Sequence, residues 1–238
     1  MAGFFYNLGR MIGPKLRKAQ WVVSSLTGTE AETLQAEYEV GRDLAQAFAQ
    51  QTALDRSPDV ESWLGEIGGR LAGCVANRQR RFCFRVVRAA EANAFALPGG
   101  FIFVTRPLLE LCQWDVNETA FVLGHEMGHV IRQHAIDRLM ANSVISAAVG
   151  RLTPGRGLIH TPLVGLATSL LNQGYSQEQE LEADRVGVAL ARAAGFDAAA
   201  AVRLLARLGT AAGFLGTYFS SHPPTDLRIR QIERALRG

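Results

Sequence analysis

The stretch "FVLGHEMGHVIRQH", Phe121 to His134, constrains this chain more than any other. It carries three of the five histidines of the 238-residue sequence inside an otherwise apolar run. A helix turns about 100° per residue, so His125 and His129 stand about 40° apart and one turn along, facing a common point. His134 falls about 180° from His125 on the same wheel and reads as a bystander that packs or caps on the far side. A buried helix with two imidazoles aimed at one point must either satisfy them as core residues or give them a metal ion.

Glu126 favours the metal. It lies about 100° from His125 and about 60° from His129, at the rim of any site the histidines build. From there it can take a proton from an attacking water without itself being a ligand. The H-E-x-x-H spacing thus assigns His125 and His129 as ligands and Glu126 as base. Two ligands are too few, because a catalytic zinc takes three protein groups and keeps one position open. The extended pattern H-E-x-x-H-x-x-G-x-x-H would put the third at residue 135. Ala135 stands there and Arg132 holds the glycine position, which excludes that class. Further on, "SQEQELEADRVG" offers Glu178, Glu180, Glu182 and Asp184. Glu180 and Asp184 share one helix face, and Glu178 and Glu182 nearly the opposite one, with Glu182 spaced to pair with Arg185 toward solvent. Spacing leaves Glu180 and Glu178 both open as the third ligand.

The rest of the chain supplies a frame for this helix. Apolar residues make up 48% and charged residues 20%, which suits a globular fold, and a net charge of +3 leaves no nucleic-acid footprint. Cys74, Cys83 and Cys112 are odd in number and widely spaced, so neither a disulfide framework nor a thiolate metal site is expected and a reducing compartment is. Thr29 and Glu32 form a capping box for a helix to about Thr52, and Pro58 opens another to about Ala76. "RFCFRVVRA" alternates like a half-exposed strand, and "NAFALPGGFIFVTRP" gives a short apolar segment, a turn and a strand over Phe101–Thr105. Helices follow from Asp115, with Glu118 in a capping-box-like start, to about Met140, from Ser176, with Gln179 three residues on, to about Ala194, from Asp197 to about Ala212, and at the C-terminus. Residues 1–28 form an amphipathic segment ahead of a single domain, 29–238. The basic residues of that segment follow its apolar ones, so it is not a standard signal peptide. It fits a terminal helix docked on its own domain better than an interfacial membrane helix. Residues 141–174 are apolar but interrupted by Gly and Pro, too broken for a spanning helix. A cytoplasmic location is expected, with peripheral membrane contact through 1–26 or 141–174 as the alternative.

H-E-x-x-H followed by "ELEAD" resembles the zinc metallopeptidases that include HtpX, the CAAX prenyl endopeptidases, BepA and the Oma-type proteases, peptidase family M48. "NAFALPGGFIFVTRPLL" is similar to the family's segment before the metal helix. "YSQEQELEADRVG" is similar to its Y-S-R-x-x-E-x-E-A-D-x-x-G, with Gln177 in place of the usual Arg, and "SHPPTDLRIRQI" to its H-P-x-x-x-x-R-I. Together these cover roughly residues 90–235, and the short interrupted insert resembles soluble or peripheral members. The resemblance implies a mainly helical α+β fold of gluzincin type with a small edge sheet. It implies Glu180 as the third ligand of one Zn2+, with Asp184 behind a ligand histidine and Arg228 tied to an acidic partner such as Asp184. His222 is implied beside the site, as a donor to the transition state or as a plug on the zinc. Asn93, Ala94, Phe95, Ala96 and Leu97 are implied as an edge strand that pairs with an extended polypeptide substrate. The expected activity is zinc-dependent endopeptidase action on unfolded or damaged chains. The alternative is a chaperone-like or membrane-associated binding protein on the same fold.

Overall fold

The computed structural model describes residues 28–135, 137, 174–210, 222 and 226–237. The expectations for residues 1–26, and for 141–174 apart from Gly174, lie outside them. Seven helices and three strands are present among the described residues: α1 (Glu30–Gln51), α2 (Pro58–Ala72), β1 (Cys83–Val87), β2 (Ala94–Leu97), β3 (Phe101–Thr105), α3 (Arg106–Leu111), α4 (Val116–Ile131), α5 (Gln177–Ala193), α6 (Ala200–Thr210) and α7 (Asp226–Arg237). This is the mainly helical α+β architecture expected, with one small sheet. None of these helices is long and apolar enough to cross a membrane.

Local chemistry sets most of the boundaries. The capping boxes form at Thr29 with Glu32 and at Ser176 with Gln179, each side chain meeting the other residue's backbone N–H. Asp115 caps α4 by accepting from the N–H groups of Asn117 and Glu118, but the Glu118 side chain pairs with Arg207 of α6 instead of closing a box. Two ends differ from expectation. Helix α2 stops at Ala72, where Gly73 takes over as cap. Helix α4 stops at Ile131 rather than near Met140, because Gln133 turns into the left-handed region at φ 59°. The Gln133 N–H bonds back to the carbonyl of Val130, which closes the helix, and His134 and Ala135 begin a new turn.

The sheet order is β1-β3-β2, with β1 parallel and β2 antiparallel to β3. Strand β2 is therefore an edge, aligned Ala94 to Val104 and Leu97 to Phe101. Both faces of the sheet are covered, which explains why β2 and β3 read as continuous apolar runs, while β1 keeps an exposed Arg85 between its apolar residues. Helix α1 lies on one face, where Leu44 and Phe48 meet Val87, Phe95, Leu97 and Phe103. The other face joins α2, α4, α5 and α6 in a larger core that includes Leu64, Leu71, Ile102, Val104, Leu123, Met127 and Leu204. One helix of that larger core carries the histidines, so its histidine side chains are buried by the same packing that stabilises the fold.

A candidate metal centre between two closely packed helices

Helices α4 and α5 approach each other until their backbones touch. A Cβ on Gly128 would lie 2.8 Å from the Ala183 backbone, and one on Gly187 would lie 2.8 Å from the His125 nitrogen. Gly124 and Gly128 on α4 thus face Ala183 and Gly187 on α5, small residues at four-residue spacing on both sides. Any larger residue would push the helices apart and draw Glu180 and Asp184 away from the histidines.

That approach gathers four potential ligand groups. Ring nitrogens of His125, His129 and His222 and a carboxylate oxygen of Glu180 all lie within 4.8 Å of one another, and all four residues are buried. His125 Nε2 is 3.1 Å from His129 Nε2 and 3.2 Å from His222 Nδ1. Glu180 Oε1 is 3.4 Å from His129 Nε2 and 2.9 Å from His222 Nδ1, and its Oε2 is 3.5 Å from His125 Nε2. Ligands about 2.0–2.1 Å from a tetrahedral zinc would be spaced by about 3.3 Å, so the donor separations fit such an ion. Bare nitrogen lone pairs facing each other at 3.1 Å repel, so the cluster needs a positive charge at its centre. Without a metal a proton supplies it. Burial acts against the charged form of His125, but the carboxylates of Glu180 and Asp184 outweigh burial and push its pKa up to about 9. His129 responds the other way, with burial driving it well below its ordinary 6.5 and leaving it neutral.

Around this cluster the remaining charges are matched. His125 Nδ1 contacts Asp184 at 2.9 Å. Arg228 of α7 holds Asp184 with two bonds of 2.7 Å and reaches Glu180 Oε2 at 2.9 Å. Burial would raise the Glu180 and Asp184 carboxyls, but the neighbouring His222 and His125 lower the first and Arg228 lowers the second, so both stay ionised. Arg228 thus meets Asp184 as expected and touches a second carboxylate as well. Glu178 lies exposed on the opposite face of α5, away from the cluster.

Glu126 is completely buried, and neither of its carboxylate oxygens has a hydrogen-bond partner among the described residues. His222 Nε2 comes nearest, at 3.6 Å from Oε1. Burial raises the Glu126 pKa, against the pull of His222 and His125. A buried carboxyl without a partner is costly, so this group is a candidate to meet a bound group beside the cluster.

Asn93 to Leu97 do not join the cluster. They run along an edge of the sheet that no other strand among the described residues pairs with, next to α4. The Asn93 N–H donates to Thr105 Oγ1 at 2.8 Å, while its buried side-chain Oδ1 has no hydrogen-bond partner among the described residues. Three residues take places at the centre that their sequence does not predict. Tyr175 stacks on His129 with ring centroids 3.7 Å apart and planes 19° from parallel. His134 is no bystander, since its Nδ1 lies 2.9 Å from His129 Nδ1. Glu182 pairs with His134 at 3.2 Å rather than with Arg185, which is exposed. Helical spacing could not reveal the His134 contacts, because they depend on α4 ending at Ile131.

Fold and centre together define a metallopeptidase site of the gluzincin type. The model of Peptidase family M48 matches residues 58–236, and the chain belongs to that family. Among similar proteins, the mitochondrial metalloendopeptidase OMA1 of Schizosaccharomyces pombe is 34% identical over 158 residues, 63% of this chain and 45% of that protein. Metalloprotease YcaL of Escherichia coli is 29% identical over 154 residues, 63% of this chain and 60% of its own length. The beta-barrel assembly-enhancing protease of Escherichia coli is 30% identical over 182 residues, 72% of this chain and 36% of that protein. The chain thus matches between about a third and three fifths of the length of these relatives.

Proposed function

We propose that this protein is a zinc-dependent endopeptidase that cleaves unfolded or damaged polypeptides. The observation that carries the reading is the buried cluster of His125, His129 and Glu180 with the unpartnered Glu126 carboxylate beside it. Two imidazoles and one carboxylate form a donor set that catalytic zinc takes. When bound, zinc supplies Lewis acidity, polarising the scissile carbonyl and making a water acidic near neutral pH.

The chain's own residues do the rest. Glu126 accepts a proton from the attacking water and delivers it to the leaving amine. Burial holds its carboxyl above the usual range, which suits a group that must both take and give a proton near neutrality. Asp184, fixed by Arg228, keeps His125 turned with Nε2 toward the ligand cluster. The free edge of β2 offers backbone groups to an extended chain, a mode of binding that reads little sequence and suits varied substrates. The unpartnered Asn93 Oδ1 is then an acceptor available to a substrate N–H. His222 Nδ1 stands among the ligand atoms, which favours the role of a plug occupying the position that water and substrate need.

Glu126→Gln tests this reading. Zinc content should be retained while casein cleavage falls by about 10²–10⁴-fold, the usual contribution of a general base. A variant that cleaves casein as fast as wild type would remove Glu126 from the mechanism. Wild-type protein that binds zinc and unfolded chains but cleaves none would favour the chaperone-like alternative.

A further inference from the structure

The two ligand histidines are held differently. His125 Nδ1 meets a carboxylate directly, at Asp184. His129 Nδ1 meets another imidazole, His134 Nδ1, at 2.9 Å, and the far nitrogen of His134 meets Glu182 Oε2 at 3.2 Å. We propose that Glu182 and His134 form a positioning relay that fixes the tautomer of His129 and so readies its Nε2 as a metal ligand. The proposal rests on the zinc reading above and adds two residues to it.

The chemistry runs in one direction. An ionised carboxylate can only accept a hydrogen bond, so the hydrogen of a neutral His134 lies on Nε2, facing Glu182. His134 Nδ1 is then a lone pair and can only accept. Its partner, His129 Nδ1, must therefore be the donor, N–H to N. That leaves His129 Nε2 bare, and this is the atom 3.1 Å from His125 Nε2 and 3.4 Å from Glu180 Oε1. Reversing any link would put a hydrogen on Nε2, where the ion must sit. Groups behind a ligand histidine commonly set tautomer and ring orientation in this way. Tyr175, stacked against the His129 ring, holds its plane while the relay holds its rotation.

The backbone serves the same arrangement. On a continuous helix His134 would point away from His125. The left-handed turn at Gln133 reverses the chain, and His134 comes back beneath His129. The relay also joins the end of α4 to α5 on the side opposite Asp184, so both ligand histidines are ultimately tied to carboxylates of one helix.

Imidazole nitrogen-15 spectra of the metal-free protein test the relay without depending on zinc. His129 should be protonated at Nδ1 and His134 at Nε2. Finding His129 protonated at Nε2 alone overturns the proposal. In the same spectra, Glu182→Gln should give a mixture of tautomers at both rings, because an amide can donate as well as accept. Zinc affinity, read by competition with a chromophoric chelator, gives the second measurement. His134→Leu should weaken binding by about 10–100-fold, the usual cost of losing such a partner. His134→Asn should recover most of that loss, since Oδ1 can stand in for Nδ1 as acceptor. If His134→Leu unfolds the chain, Glu182→Gln carries the test, because the Glu182 side chain is 34% exposed and replaceable without a cavity. Unchanged zinc affinity in every folded variant overturns the relay. A wild type with the expected tautomers that takes up no zinc would instead overturn the zinc reading, and the two failures are thereby distinguished.

Discussion

The seam between α4 and α5 and the seam between α1 and the sheet solve opposite problems. At the first, glycine and alanine let two backbones touch, and the space around them is filled by charged groups that satisfy one another. At the second, rings fill the space. Phe48 meets Phe103 at 4.7 Å and Phe95 at 5.1 Å, both edge-on, within an apolar cluster, and the buried Glu37 of α1 stands apart from these rings, accepting from the Gly99 N–H at the turn between β2 and β3. An aromatic seam gains stability from the area it removes from water and tolerates small shifts. A charged seam works only if every partner is in place, because a buried charge without its counterpart costs several kcal/mol. Stability can be lost at either seam, but the metal centre depends on one of them.

Arg228→Ala should break the charged seam most severely. It leaves Asp184 and Glu180 buried without their cation, at a cost of about 3–5 kcal/mol. Urea unfolding of the metal-free protein reads that loss, and zinc affinity should fall with it. Phe48→Ala sharpens the contrast. It should cost about 3–5 kcal/mol through the cavity it opens, yet leave the zinc affinity of the folded protein unchanged. Equal loss of zinc affinity in both variants would show that the two seams are not independent. Gly128→Ala comes next. Its methyl meets the Ala183 backbone, so about 1–3 kcal/mol should go, with weaker zinc binding from a change of a single carbon.

A pH series separates the seams without mutation. The His125 pKa is raised from 6.5 to about 9 in the folded, metal-free protein. Its protonation therefore stabilises the fold fully below pH 6.5, and that contribution is lost as pH rises through about 9. The metal-free protein should melt at falling temperatures across this window, while zinc binding strengthens because fewer protons compete for the site. A flat melting profile from pH 6.5 to 9 would mean that His125 does not carry the central charge. The smallest effect belongs to Thr29→Ala at the start of α1. Loss of the cap should cost about 1 kcal/mol and leave both zinc binding and cleavage as they were.

Much of the centre is legible in the sequence. His125, Glu126 and His129 follow from helix periodicity and ligand chemistry, and helix periodicity needs only local bonds. The capping boxes at Thr29 and Ser176 were legible for the same reason. Glu180 was not chosen over Glu178 by spacing. Family resemblance made that choice, and the structure buries the first and exposes the second. The pattern from Asp115 predicts a helix about nine residues longer than α4, because no proline or glycine marks its end and Gln133 takes a left-handed conformation that residues other than glycine seldom adopt. That error also hid His134 and Glu182, whose partners could be found only on a wheel that stops at Ile131.

The sequence alone determined the parts that depend on neighbours a few residues away: the two histidines that face one point, the glutamate beside them, and the helices that carry them. Tertiary structure decided what had to meet across 40 to 100 residues of chain. It set Glu180 against His129, Asp184 against His125, Arg228 between two carboxylates, and Glu182 against His134. The physical reason is range. Periodicity and capping act within a few residues, whereas the match of one buried charge to another depends on how closely two backbones can approach. Here that approach is set by Gly124, Gly128, Ala183 and Gly187 acting together.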